Sequence, residues 1–286
     1  MGWARSRPRS AAAMPDVLIT GATGTTGSRV AKLLRAQSIP VRLATRTPGA
    51  ERAQIRFDWD TGIFDAALAG VSAVYLVAPT GVADPVPLVT PFVEQARRYG
   101  VRRIVLLGSS AIAASDSGLG GLYHLIRSLP EWTVLRPSWF MQNFLGDSPV
   151  AQGVRDGEIV TATGAGRIGF VDAGDIAAVA ARALTDPEPH PGELILTGPQ
   201  ALSYAEAAEI ITDRIGRPVR HRSASVAEYA ARLADSGIPP AYAAMLAGLD
   251  DDIRRGAEDR ITDTVPRVTG RPARGFHEFV TKEMTR

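Results

Sequence analysis

Apolar positions along this chain follow two alternating rhythms. Val17-Leu18-Ile19 is a continuous apolar run that ends in Thr20-Gly21-Ala22-Thr23-Gly24-Thr25-Thr26-Gly27. Beyond it, Val30, Leu33 and Leu34 recur at helical spacing, with Arg29, Lys32 and Arg35 between them. This pattern predicts a strand, a Gly-rich turn and an amphipathic helix. Further strands are predicted at Val41 to Thr45, Ile55 to Asp58, Ala73 to Ala78, Arg103 to Gly108 and Thr133 to Arg136. Helices are predicted between them, at Phe64 to Leu68 and Val86 to Tyr99. The run Ala73-Val74-Tyr75-Leu76-Val77-Ala78 does not alternate, as expected of a strand buried on both faces.

Strands that alternate with helices predict an α/β fold: a doubly wound parallel sheet of the Rossmann type with helices on both faces. Beyond about residue 150 the rhythm loosens. An Ala-rich helix is predicted from Asp172 to Leu184, with Asp172 and Asp175 favourably placed against its dipole. A strand follows at Leu194 to Thr197, and Ser203-x-x-Glu206 is a capping box that opens a helix through Ile215. Residues 225–258 read as two helices broken at Gly237-Ile238-Pro239-Pro240, and Asp250-Asp251-Asp252 as a helix start. The expected organisation is a nucleotide-binding domain over 14–150, its sheet completed by parts of 151–200. A small, mainly helical substrate lobe over 201–286 rests on the carboxyl ends of the strands.

Composition narrows the class. With 45% hydrophobic and 22% charged residues, the 286-residue chain is a globular one rather than disordered. No apolar run has the length of a bilayer span. The absence of Cys removes disulfides, thiolate metal sites and cysteine nucleophiles, and favours a cytoplasmic location. The pI near 9.1 invites a nucleic-acid reading. Yet Arg5, Arg7 and Arg9 lie in the first thirteen residues, which hold no acid, and the remaining chain is near neutral. Residues 1–13 are read as a disordered leader or a mis-assigned start. The expected partner is therefore a small-molecule substrate, with no direct nucleic-acid contact and no membrane, in a monomer or homodimer. No metal-ligand spacing links His190, His221 and His277.

The turn carries the chemistry. Gly21, Gly24 and Gly27 permit a tight turn and close approach of the backbone to a pyrophosphate at the N-terminus of the following helix, with Thr23, Thr25 and Thr26 between them. The strand before and the helix after supply the context this motif needs. A P-loop is excluded, because no Gly-Lys-Ser/Thr closes the segment. The second strand ends Leu43-Ala44-Thr45-Arg46-Thr47, without the acid that would accept from an NAD ribose. Arg46 instead suits a 2′-phosphate, so the expected cofactor is NADP(H).

The Thr-Gly-Ala-Thr-Gly spacing resembles the short-chain dehydrogenase/reductase superfamily, and more narrowly its NmrA-like atypical branch. Further matching stretches are Leu106-Leu107-Gly108-Ser109-Ser110, Leu135 to Asn143 and Phe170-Val171-Asp172. Trp139-Phe140-Met141-Gln142-Asn143, with the tail from Arg254 to Pro272, is similar to the ergot-alkaloid (agroclavine/festuclavine) dehydrogenase-like group. The resemblance implies Asp58 and Trp59 near the adenine, Ala78 and Pro79 by the nicotinamide ribose, and Ser109 in the cofactor site. Short-chain enzymes use Ser with Tyr-x-x-x-Lys. Here Ser110 and Tyr123 are the candidates, but Arg127 stands where Lys would, which weighs towards a helix-surface or packing role for Tyr123. Trp139, Phe140 and Met141 are the candidate apolar wall for a substrate, with Asn143 or Gln142 as polar handle. The expected activity is hydride transfer to a small planar apolar acceptor such as an imine, quinone or enone. The rival is a non-catalytic NADP(H)-sensing regulator.

Overall fold

In the computed structural model, which describes residues 16–284, each predicted apolar run in the first half becomes a strand of one parallel sheet. The leader expected at 1–13 lies outside the described residues. In chain order come β1 (Asp16–Ile19), α1 (Gly27–Ala36), β2 (Val41–Thr45), β3 (Gln54–Arg56), α2 (Asp65–Leu68), β4 (Val71–Val77), α3 (Val86–Arg98), β5 (Arg103–Leu107), α4 (Gly118–Ile126) and β6 (Glu131–Pro137). The second half adds α5 (Pro149–Asp156), β7 (Glu158–Thr161), α6 (Ala173–Thr185), β8 (Gly192–Leu196), α7 (Tyr204–Ile215), β9 (Arg220–Ser223), α8 (Val226–Asp235), α9 (Pro240–Arg254), α10 (Thr264–Thr269) and α11 (Phe276–Glu283).

The sheet order is β3-β2-β1-β4-β5-β6-β8, and every pairing is parallel. This is the Rossmann order with a seventh strand. The chain reverses direction across the sheet between β1 and β4, and such switch points open a crevice beyond the strands' carboxyl ends. One face of the sheet buries Val30 and Leu34 of α1 with Ile176, Val179 and Ala180 of α6. The other buries Val89 and Phe92 of α3 with Leu122, Tyr123 and Ile126 of α4.

The later segments build a second layer over the carboxyl ends. Phe144, Phe170, Tyr204 and Phe276 form one aromatic cluster, with ring centroids 4.9–5.7 Å apart. The strands β7 and β9 pair in parallel as a separate small sheet. Tyr229 and Leu233 of α8 bury against Ala243 and Ala247 of α9. Helix α10 does not join this layer, because Val265 and Val268 enter the core beneath α6.

The capping box at α7 is present, with Ser203 accepting from the Glu206 amide and Glu206 accepting from the Ser203 amide. Asp172 caps α6 by accepting from the Gly174 amide at 2.6 Å. The Asp250-Asp251-Asp252 run does not open a helix; it lies near the end of α9. Asp250 is taken up by tertiary structure, accepting from the Ala162 amide at 3.0 Å just beyond β7. Asp251 and Asp252 pair with Arg254 and Arg255. No helix among the described residues is long and apolar enough to cross a membrane.

Candidate functional site

The turn after β1 is shaped by its glycines. Gly21 has φ +59°, and a Cβ there would meet Val77 Cβ at 3.1 Å. A Cβ on Gly24 would lie 3.2 Å from the Gly21 carbonyl, and one on Gly27 only 2.3 Å from it. Gly27 therefore seals helix against loop, whereas Gly21, Thr23, Gly24, Thr25 and Thr26 line a groove. Thr26 stands at the N-cap of α1, but its side chain makes no cap hydrogen bond, and the first turn holds no acid. In that turn the Ser28 amide donates to the Gly24 carbonyl at 3.2 Å and the Val30 amide to the Thr26 carbonyl at 2.9 Å, and the positive end of the helix faces the groove. Thr20, buried beneath, donates to the Tyr75 and Val77 carbonyls and accepts from the Val77 amide at 2.7 Å, tying β1 to β4.

These residues open into a groove of about 900 Å³ across the ends of β1, β2 and β4. Arg46 lines it, exposed, with no hydrogen-bond partner among the described residues. Asp58 and Trp59 line the same groove. Asp58 accepts from the Asp60 amide at 3.2 Å, and Trp59 packs edge-on against Phe57 and Phe92. A second chamber of about 760 Å³ adjoins it. The two share Thr25, Val77 to Thr80, Val82, Leu107 and Phe140 as common wall, which places Ala78 and Pro79 at their junction.

The second chamber holds Ser109, Ser138, Trp139, Phe140 and Asn143, and no Asp, Glu, Lys, Arg or His lines it. The segment 139–141 is held in place by pairing with Val171: the Val171 amide donates to the Trp139 carbonyl and the Met141 amide to the Val171 carbonyl, both at 2.9 Å. Met141 turns inward. It is fully buried in the aromatic cluster and is not among the residues that line the chamber, unlike Trp139 and Phe140. Gln142 is also occupied, accepting from the Ala173 amide at 2.8 Å and donating to Asp172 at 3.1 Å, so Asn143 is the amide that faces the chamber.

The candidate catalytic pair is not assembled. Tyr123 is fully buried under β5, where its hydroxyl accepts from the Ser109 amide at 3.0 Å and donates to the Ser109 carbonyl at 3.3 Å. Burial raises its phenol above the usual value, against the bond to Ser109 and the nearby Arg136 guanidinium. Arg127 pairs with Glu193 at 2.7 Å on the outer side. Ser110 is buried too, and its hydroxyl donates to Glu258 at 2.6 Å. Neither Tyr123 nor Ser110 lines either cavity. A helix-packing phenol answers the same sequence spacing as a catalytic one, so spacing could not separate them.

Two features of the site come from residues not singled out from the sequence. Glu258, only 2% exposed, accepts from Ser110, from Ser138 at 3.2 Å and from Arg260 at 2.7 Å. It thereby ties the distal chain to the ends of β5 and β6. Helix α9 supplies the chamber's outer wall with Tyr242, Met245, Leu246 and Leu249. Their i, i+3, i+4, i+7 spacing is a single helical stripe, a legible signal that does not reveal which surface it covers.

Against known proteins, a family model described as NAD(P)H-binding matches residues 21–187. The chain is 47% identical over 266 residues to the uncharacterized oxidoreductase YesF of Bacillus subtilis (strain 168), covering 92% of this chain and 93% of that protein. It is 37% identical over 281 residues to festuclavine synthase I of Penicillium roqueforti (strain FM164), covering 93% and 98%. Among solved structures, the NADPH-dependent quinone oxidoreductase QOR2 of Escherichia coli, complexed with NADPH, has a TM-score of 0.78 at 26% identity, covering 93% of this chain and 98% of that one.

Proposed function

This chain belongs to the NAD(P)H-binding family and is an oxidoreductase of it, and we propose that it prefers NADP(H) and passes hydride to a small, planar, apolar acceptor, an iminium, quinone or enone. The observation that carries this reading is the uncharged chamber of about 760 Å³, walled by Trp139 and Phe140 and joined to the dinucleotide groove along Val77 to Thr80. Chambers of this size hold drug-sized ligands. A regulator that only sensed the dinucleotide would have no use for one.

The turn fits a dinucleotide, since Gly21, at φ +59° and against Val77, and Gly24, against the Gly21 carbonyl, keep side chains out of a tight turn whose backbone lines the groove. Gly21, Gly24, Thr23, Thr25 and Thr26 would hold the pyrophosphate. Arg46 would meet the 2′-phosphate, Asp58 and Trp59 the adenine end, and Ala78, Pro79 and Ser109 the nicotinamide ribose. The nicotinamide supplies the hydride when bound. The remaining work falls to orientation: Trp139 and Phe140 would clamp a flat acceptor and Asn143 would bind its polar edge. Held geometry of this kind can contribute several kcal/mol, roughly 7–11 in well-oriented systems, without a strong acid.

The test is NADPH oxidation by the purified protein against a panel of quinones, cyclic iminium ions and enones, with NADH in parallel. Turnover with at least one class, faster with NADPH, is expected. Tight NADP(H) binding with no turnover in any class would assign the protein to the sensor role.

A further inference from the structure

Among the described residues lining the chamber, Tyr242 is the sole titratable side chain. It lies in the first turn of α9, half-buried, and its hydroxyl has no hydrogen-bond partner among the described residues. The other polar side chains there are Ser and Thr hydroxyls, the Asn143 amide and the Trp139 indole N–H, which are poor proton donors at neutral pH. A phenol carries its proton at neutral pH and gives it up far more readily than they do.

We propose that Tyr242 is the proton donor to acceptors whose reduction creates a negative heteroatom. This inference rests on the reductase reading above. Hydride arriving on a carbonyl, enone or quinone acceptor leaves the electron pair of the broken π bond on oxygen. The Tyr242 O–H bond breaks, its proton joins that oxygen, and the phenolate is reprotonated from water at the open side of the chamber. An iminium ion needs no such proton, because hydride addition neutralises it. The acid therefore enters from the helical roof and not from the sheet side, where Tyr123 is engaged with Ser109.

The placement of α9 supports this role. Met245, Leu246 and Leu249 continue the Tyr242 stripe over the chamber, while Ala243 and Ala247 on the opposite side pack against α8. Asp250, on that same inner side, holds α9 to Ala162. The helix is thus fixed by one face and presents the phenol with the other. The ring also adds a third aromatic to Trp139 and Phe140, so Tyr242→Phe keeps the apolar wall and removes only the hydroxyl.

The experiment compares wild type with Tyr242→Phe, using NADPH with menadione as the proton-requiring acceptor and N-methyl-3,4-dihydroisoquinolinium as the one that needs none. The expected result is a fall in the ratio of menadione to iminium turnover of about 10-fold or more, within the range that general acids contribute. Menadione binding in the presence of NADP⁺, followed by quenching of Trp fluorescence, should weaken by roughly 2–10-fold for one lost hydrogen bond. NADPH affinity, measured separately, reports that the variant is folded. An equal loss with both acceptors, or no change in menadione turnover, would overturn the assignment. If wild type turns over neither acceptor while binding NADPH, the reductase reading itself falls, and this proposal with it.

Discussion

At the residue scale, one exposed arginine decides more than the total charge does. Arg46 follows β2 into the groove without a hydrogen-bond partner among the described residues, so its charge is available to a ligand. Replacing it with Glu would set a carboxylate where a 2′-phosphate is proposed to sit. Arg46→Glu should raise KM for NADPH by about 10–100-fold, given the strength of guanidinium–phosphate pairs. KM for NADH should change by less than about 3-fold. Equal changes for both cofactors in steady-state assays would show that Arg46 only faces solvent. The Gly-rich turn was legible from sequence because each glycine answers a local demand, positive φ at Gly21 and close approach at Gly27. The setting of Tyr123, Ser110 and Met141 was not legible for the opposite reason: which way a buried side chain points depends on neighbours distant in sequence.

At the element scale, α9 is the part whose role depends most on its setting. Its inner face carries Asp250, which burial pushes up to about 7, against the bond from the Ala162 amide. The protonated form is favoured in the folded protein, whose pKa lies above the unfolded value near 4. Folding is therefore penalised progressively as pH rises from about 4 through 7, and the penalty stays constant above that. Asp250→Asn keeps an acceptor for Ala162 and removes the charge. It should raise Tm by about 3 °C or more at pH 8 and by less at pH 5. A melting series against pH checks this, and an equal shift at all pH values would contradict it. From sequence, an Asp triplet suggested a helix start, because the helix dipole favours acids there. Tertiary contact prevailed at Asp250, and Arg254 and Arg255 offset the other two charges.

At the scale of the whole molecule, the two layers are interleaved along the chain. Helix α10 returns to the core under α6, and Arg274 donates from its amide to Asp175 at 2.7 Å and from its guanidinium to Asp172 at 3.0 Å. The chamber wall, the sheet and the distal chain should therefore melt together. Saturating NADPH, at about 100 times its Kd, should stabilise the fold by about 2.7 kcal/mol and raise Tm by roughly 5–10 °C in one transition. NADH at the same concentration should raise it less. Two separate transitions in calorimetry would show that the layers unfold independently.

What the sequence by itself determined is what local physics controls: strand–turn–helix alternation, the parallel Rossmann sheet, the glycine turn and the NAD(P)H-binding family, which the similarity to YesF and to festuclavine synthase I bears out. Hydrophobic period and backbone freedom are written residue by residue. The tertiary structure alone decided what fills the space beyond the strands. Only in three dimensions does Glu258 meet Ser110 and Ser138, or does a stripe on α9 close the chamber that β4, β5 and β6 open. Those contacts join residues more than a hundred positions apart, and no local pattern encodes which distant surface will bury them.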